Sequence, residues 1–148
     1  MIAFFSLDLN KIALSPSDYC WPRPSRCPRC LYPKLWGHGF VGMIIAGFDH
    51  ALTIRRYRCP SCGCVIRLRP EGYFKGHQSS TVAIRTSLSI RLKTGRWPPG
   101  CVPNRARHWL GALKRNAVAI FGFPALADLM GVFDRLISMG RVPVSRTV

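Results

Sequence analysis

Hydrophobic and polar positions change their period once along the chain, near Gly72. Before that point apolar residues come in short runs broken by arginine, in Leu52-Thr-Ile-Arg-Arg-Tyr-Arg58 and, more cleanly, in Val65-Ile-Arg-Leu-Arg69. A period of two, carried by β-branched and aromatic residues, predicts strands, because successive side chains of a strand point to opposite faces. A further apolar run, Phe40 to Phe48, follows Trp36-Gly-His-Gly39. Beyond Gly72 the apolar positions recur three and four residues apart. Ile84, Leu88 and Leu92 predict a helix over 80–94, with Ser79-Ser80 to cap its start and Gly95 its end. Asn104 or Pro103 opens a second helix, with Trp109, Leu110, Leu113, Ala117 and Ile120 on its apolar side, and Gly122-Phe-Pro124 breaks it. A third, about 125–139, carries Leu126, Leu129, Met130, Phe133, Leu136 and Ile137 and stops at Gly140. The first 19 residues are apolar but weakly patterned, and Ile2, Phe4, Leu7, Leu9, Ile12 and Leu14 suit a strand or a short helix. Ser15-Pro-Ser-Asp18 then makes a turn, and the prolines of Cys20-Trp-Pro-Arg-Pro24 favour extended chain.

Cysteine spacing gives the strand-rich part its chemistry. Cys27-Pro-Arg-Cys30 and Cys59-Pro-Ser-Cys62 are two Cys-x-x-Cys pairs separated by residues 31–58. Four thiolates from two tight turns close a tetrahedral shell around Zn²⁺, a soft-ligand ion that needs no further donor. Two disulfides, or unrelated buried thiols, are the weaker alternative. The chain has seven cysteines, an odd number that fits a reducing compartment better than a disulfide framework. Cys64 falls two residues past Cys62, where strand geometry turns it away from the metal, yet it is the one position open to ligand swapping. Cys20 could substitute for a ligand, but its distance from both pairs favours a buried or surface thiol. His38 and His50 lie in the spacer and are not needed as ligands. The expected fold class is α+β: a small antiparallel zinc ribbon holding one structural Zn²⁺, followed by a three-helix, helix-turn-helix-like bundle. The expected division is an apolar N-terminal segment at 1–22, the ribbon at 23–72, the bundle at 78–140 and a tail at 141–148.

Charge then narrows the partner. Lys and Arg number 22 against six acidic residues, a formal net charge of +16. Such an excess repels itself in a compact chain, and a polyanion relieves it. With 48% hydrophobic residues the chain is not a disordered basic tail. No run approaches the roughly 18–20 apolar residues of a membrane span, and residues 1–14 lack the basic start and small-residue cleavage pattern of a signal peptide. A cytoplasmic, nucleoid-associated protein with no membrane and no small-molecule substrate is the expectation. Between Gly72 and Ala127 there is no acidic residue but nine Lys or Arg. Asn104, Arg105, Arg107, Lys114 and Arg115 fall on the second helix, and Arg55, Arg56 and Arg58 on the strand entering the second cysteine pair. Arginine and asparagine read base edges bidentately, and both Lys and Arg bind phosphate. Duplex DNA is therefore the expected partner, ahead of an ordinary solvated basic face.

Catalysis is not expected. Metal-dependent phosphoryl transfer needs clustered carboxylates, and this chain offers only Asp8, Asp18, Asp49, Glu71, Asp128 and Asp134. Asp128 and Asp134 are six apart on one helix and face different ways. A redox Cys-x-x-Cys would sit at a helix N-terminus after a strand, and Pro28 and Pro60 fit metal knuckles as well.

The set Cys27-Pro-Arg-Cys30, Trp36-Gly-His-Gly39 and Tyr57-Arg-Cys-Pro-Ser-Cys-Gly63 resembles the N-terminal zinc ribbon of bacterial insertion-sequence transposases. The match covers about 26–69. Arg105-Ala-Arg-His-Trp-Leu110 is similar to that family's helix-turn-helix in placement only. The sequence departs from the family by stopping where a three-carboxylate catalytic domain would begin, as in small stand-alone proteins associated with mobile elements. The resemblance implies DNA recognition by a non-catalytic accessory or regulator of a transposable element, with a transposase or recombinase as a second partner. The alternatives are a zinc ribbon that binds RNA or the transcription machinery through its sheet, and a protein-interaction subunit of a separate recombinase.

Overall fold

The computed structural model describes residues 1–146, and the chain divides into two compact units, Met1–Ser79 and a second from Ser80 onward. The fold is mixed α+β, with a four-stranded sheet and four α-helices. Among the described residues no helix is long and apolar enough to cross a membrane.

The first unit contains β1 (Ile2–Phe5), α1 (Leu9–Leu14), β2 (Trp36–Met43), β3 (Leu52–Arg58) and β4 (Val65–Pro70). The ambiguous N-terminus is thus a strand and then a helix, separated where Asp8 caps α1 by accepting the N–H of Lys11. Strand order is β1-β4-β3-β2. The pairs β2–β3 and β3–β4 are antiparallel, as expected of a ribbon. Strand β1 adds to the free edge of β4 in parallel, with Ile2 opposite Arg67 and Phe4 opposite Arg69, so the sheet is mixed. A four-residue apolar run says nothing about its partner or direction, because pairing is non-local, and this strand was legible only as a possibility.

Cross-strand pairing sorts the sheet into two faces, since directly opposed residues share one. Tyr57, Ile66, Leu68 and Ala3 lie on one face, and α1 packs against β3 with Ile12 buried. The other face is divided along its length. Ile54 and Leu52 are buried at one end of β3, while Arg56 and Arg58 carry the same face toward the second cysteine pair. This explains the loose alternation of β3: one side of the strand turns from apolar to basic partway along. At the junction Arg69 is buried, with no carboxylate partner among the described residues. Its guanidinium donates to the carbonyls of Phe74 and His77 and lies 3.8 Å from the Met43 sulfur. Burial, with Arg67 adding repulsion, lowers its pKa, and burial with Arg69 nearby also lowers that of His77.

The second unit contains α2 (Thr81–Thr94), α3 (Pro103–Phe121), a 3-10 helix (Phe123–Asp128) and α4 (Leu129–Ser138). Ser80 caps α2 by accepting the N–H of Ala83, and Gly95 ends it in the left-handed conformation at φ 71°. The expected third helix is a 3-10 turn followed by α4, because Asp128 accepts the N–H of Gly131 and starts a new α-helix there. Ile84, Leu88, Trp109, Leu113, Ala117, Leu129, Phe133 and Leu136 are buried, but Leu92, Leu126 and Ile137 are exposed. Asn116, inside α3, is buried and its side-chain amide donates to the carbonyls of Pro143 and Ser145. The expected tail is held there by a polar residue; its last two positions lie outside the described residues.

Because Ser80 satisfies an otherwise orphaned helix donor, Ser80→Ala should lower the stability of the second unit by about 1 kcal/mol in denaturant titration. Metal content should not change.

Candidate metal centre and basic surfaces

The two cysteine turns have matching backbone hydrogen bonds. In the first, the N–H of Leu31 donates to the Cys27 carbonyl (2.8 Å) and the N–H of Cys27 to the Tyr32 carbonyl (2.9 Å). In the second, Gly63 donates to Cys59 (3.0 Å) and Cys59 to Cys64 (2.9 Å). The residue after each second cysteine takes a left-handed conformation, Gly63 at φ 69° and Leu31 at φ 61°. Glycine adopts it freely; for leucine it costs about 1–2 kcal/mol. Cys64 occupies the place that Tyr32 holds in the first turn. Its carbonyl closes the knuckle, and its thiol points to the Val65 carbonyl at 3.8 Å.

The matched turns bring the sulfurs of Cys27, Cys30, Cys59 and Cys62 within 4.8 Å of one another. Cys27 Sγ is 3.7 Å from Cys62 Sγ, and Cys30 Sγ is 3.5 Å from Cys59 Sγ. A disulfide is about 2.05 Å, so neither pair is bonded. A tetrahedron with metal–sulfur bonds of about 2.3 Å has edges of about 3.8 Å, so the set is compatible with one structural zinc. Cys27 and Cys59 are buried while Cys30 is exposed, so the cluster sits at the border of the unit's core.

The clustered thiols also shift one another's ionisation in opposite directions. Burial opposes ionisation of Cys27, but the N–H groups of Cys30 and Arg29 and the thiols of Cys62 and Cys30 outweigh it and bring the pKa to about 6. At Cys62 the N–H of Cys64 favours the thiolate, yet burial and the other three sulfurs together push the pKa up to about 12. Thiols this close cannot all ionise without a positive charge between them.

The basic residues fall into separate groups. On β3, Arg55 lies across Gly37, where a Cβ would collide with the guanidinium, and stacks on Phe40 at 4.7 Å from the ring centre. Arg56 and Arg58 lie on the opposite face, and Arg56 pairs directly with Arg67 of β4. An open groove there is lined by Ile2, Phe4, Arg56, Val65, Arg67 and Lys75. Lys75 comes from the loop after β4, and no periodicity in the sequence pointed to it. On α3, Asn104, Arg107, Lys114 and Arg115 are exposed, whereas Arg105 is half-buried. The Asn104 side-chain oxygen accepts from Arg107 at 3.1 Å, which steadies both at the front of the helix. Among the described residues the ion pairs are Lys11–Asp8 and Arg85–Asp134, the latter holding the Asp134 pKa below the usual carboxylate range.

No protein-family model, curated protein or solved structure matches the chain.

Metal analysis should find one ion per chain, lost in Cys27→Ser or Cys62→Ser and retained in Cys64→Ser. Acid, which returns protons to the thiolates, should release it. Leu31 is 65% exposed, so Leu31→Gly gives up little burial and removes the backbone cost. Offset by the greater freedom of glycine in the unfolded chain, it should raise stability by up to about 1 kcal/mol.

Proposed function

We infer that the protein is a zinc-dependent DNA-binding protein that acts without catalysis, as an accessory or regulator of a transposable element. The observation that carries the reading is a set of exposed cations with almost no counterions. With 22 Lys and Arg in the chain, the ion pairs among the described residues engage only Lys11 and Arg85. A folded chain that keeps such repulsion has a polyanion as its most economical partner, and phosphate backbones supply one.

Within this reading α3 is the helix that faces duplex DNA. Its buried side, Ala106, Trp109, Leu113 and Ala117, leaves Arg107, Lys114 and Arg115 toward solvent, with Asn104 at its front. Recognition helices contact bases by their first turns, which favours Arg107, prepositioned by Asn104. The helix-turn-helix assignment is the less supported part. The α2–α3 connection runs from Gly95 to Val102, longer than the three to four residues usual for that motif. Zinc is the ion proposed for the cysteine cluster because four thiolates at tetrahedral spacing suit it and leave no open position for chemistry.

Structural roles of four of the six carboxylates support a non-catalytic protein. Asp8 and Asp128 cap helices, Asp18 accepts from Ser15, and Asp134 pairs with Arg85. Association with a transposase or recombinase rests on the sequence resemblance alone, and co-purification with one tests it.

Selection from random duplexes, followed by titration on the selected and a scrambled site, tests α3. Affinity should fall steeply with salt. Arg107→Ala should cost about 1–3 kcal/mol on the selected site and relax its preference, while Lys114→Ala should weaken both duplexes equally. Equal losses for Arg107→Ala would reduce α3 to a basic face. With Mg²⁺ the protein alone should leave supercoiled DNA intact; nicking abolished by Asp128→Asn would refute the non-catalytic reading.

A further inference from the structure

The half of the sheet face that remains open beside the metal knuckles has an unusual composition. Across β3 and β4, Arg56 sits directly opposite Arg67, a like-charge pair that destabilises an antiparallel ladder. No acidic residue occurs from Ala51 to Pro70 to offset it. The Arg56 Nε is buried without a hydrogen-bond partner. The Arg58–Val65 pair lies one step toward the knuckles, and Lys75 reaches the same groove from the loop beyond β4. Two large aromatics flank this strip. Trp36 of β2 is opposite Arg58 and 63% exposed; Phe4 of β1 lines the groove and is 46% exposed. These two lie on the outer strands of the four-stranded sheet, which are roughly 14 Å apart at ordinary strand spacing.

Each half of this arrangement has a cost without a ligand: opposed guanidiniums repel, and exposed aromatic rings meet water. A duplex satisfies only the first, because its base faces are stacked inside. An acidic peptide likewise answers the charge but not the flat aromatic rings. A single strand answers both, since its phosphates follow the cations while its unpaired bases stack on the rings. One glycine of β2 keeps the strip low. Gly39, at φ 67°, has the Arg56 guanidinium 3.8 Å from where a side chain would begin.

We propose that this face is a binding site for single-stranded nucleic acid, with Arg56, Arg58, Arg67 and Lys75 on the phosphates and Trp36 and Phe4 as stacking platforms. The site lies within the first unit, uses none of the α3 residues, and stands whether or not α3 reads duplex DNA.

The test uses the full-length, metal-loaded protein with labelled oligothymidine and oligouridine of about 12 nucleotides, a length within the usual range for such platforms. Binding of either oligomer, with quenching of tryptophan fluorescence, is expected, and the tighter of the two identifies the sugar preferred. Trp36→Ala and Phe4→Ala should each weaken oligomer binding about tenfold while leaving duplex binding unchanged. Trp36→Phe, which keeps a stacking ring, should restore most of the affinity. Arg67→Gln should weaken the oligomer and flatten its salt dependence. Both aromatics are exposed, and unchanged metal content and circular dichroism certify that the variants are folded. The proposal is overturned if neither aromatic substitution changes oligomer affinity, or if duplex competes as well as single strand at equal phosphate concentration. Loss of duplex binding alone, in Arg107→Ala, would bear on α3 and leave this site standing.

Discussion

Four sulfurs within 4.8 Å are the constraint on which the first unit depends. They join turns at opposite ends of the spacer at 31–58, and this fixes how β2, β3 and β4 meet. Burial of Cys27 and Cys59 in the same cluster as Tyr57, Ile66 and Leu68 ties the cysteine site to the hydrophobic core. Structural zinc contributes about 10–16 kcal/mol in small modules, as much as the whole net stability of an ordinary domain. A unit of this size, with an uncompensated arginine pair on its sheet, has little margin without it. In the second unit α2, α3 and α4 bury Leu88, Leu113 and Phe133.

The two cysteine turns differ in an instructive way. Gly63 follows Cys62 and takes a left-handed backbone freely, whereas Leu31 follows Cys30 and takes it at a cost. Retaining leucine there is tolerable only if the surrounding contacts over-determine the turn, and a bound ion would do so. The same hydrogen-bond match accounts for Cys64, whose carbonyl rather than its sulfur belongs to the knuckle.

Features set by local chemistry could be read from the sequence; those set by long-range pairing could not. Paired Cys-x-x-Cys spacing singled out Cys27, Cys30, Cys59 and Cys62, and the structure brings those four together. Ser80 and Gly95 marked the limits of α2 because capping is a property of a few neighbouring residues. The parallel addition of β1 to β4 was hidden, since nothing within Ile2–Phe5 encodes a partner 65 positions away from Ile2 at Arg67. Among the basic candidates, sequence gave equal weight to Arg55, Arg56 and Arg58. Alternation and the Phe40 stack separate Arg55 from the other two. Lys75 escaped because loops have no periodicity to betray which face they serve.

Metal and charge belong to one design on this reading: the ion holds together strands whose exposed arginines repel, and a polyanion relieves that repulsion. The most direct measurement follows both at once. Oligothymidine binding by the full-length protein is titrated at fixed ionic strength before chelation, after chelation, and after zinc is restored, with metal content assayed at each stage. The expected result is a loss of at least about tenfold in affinity, or 1.4 kcal/mol, that recovers when zinc returns. Unchanged affinity in protein shown to be metal-free would contradict the dependence of the basic face on the cysteine cluster.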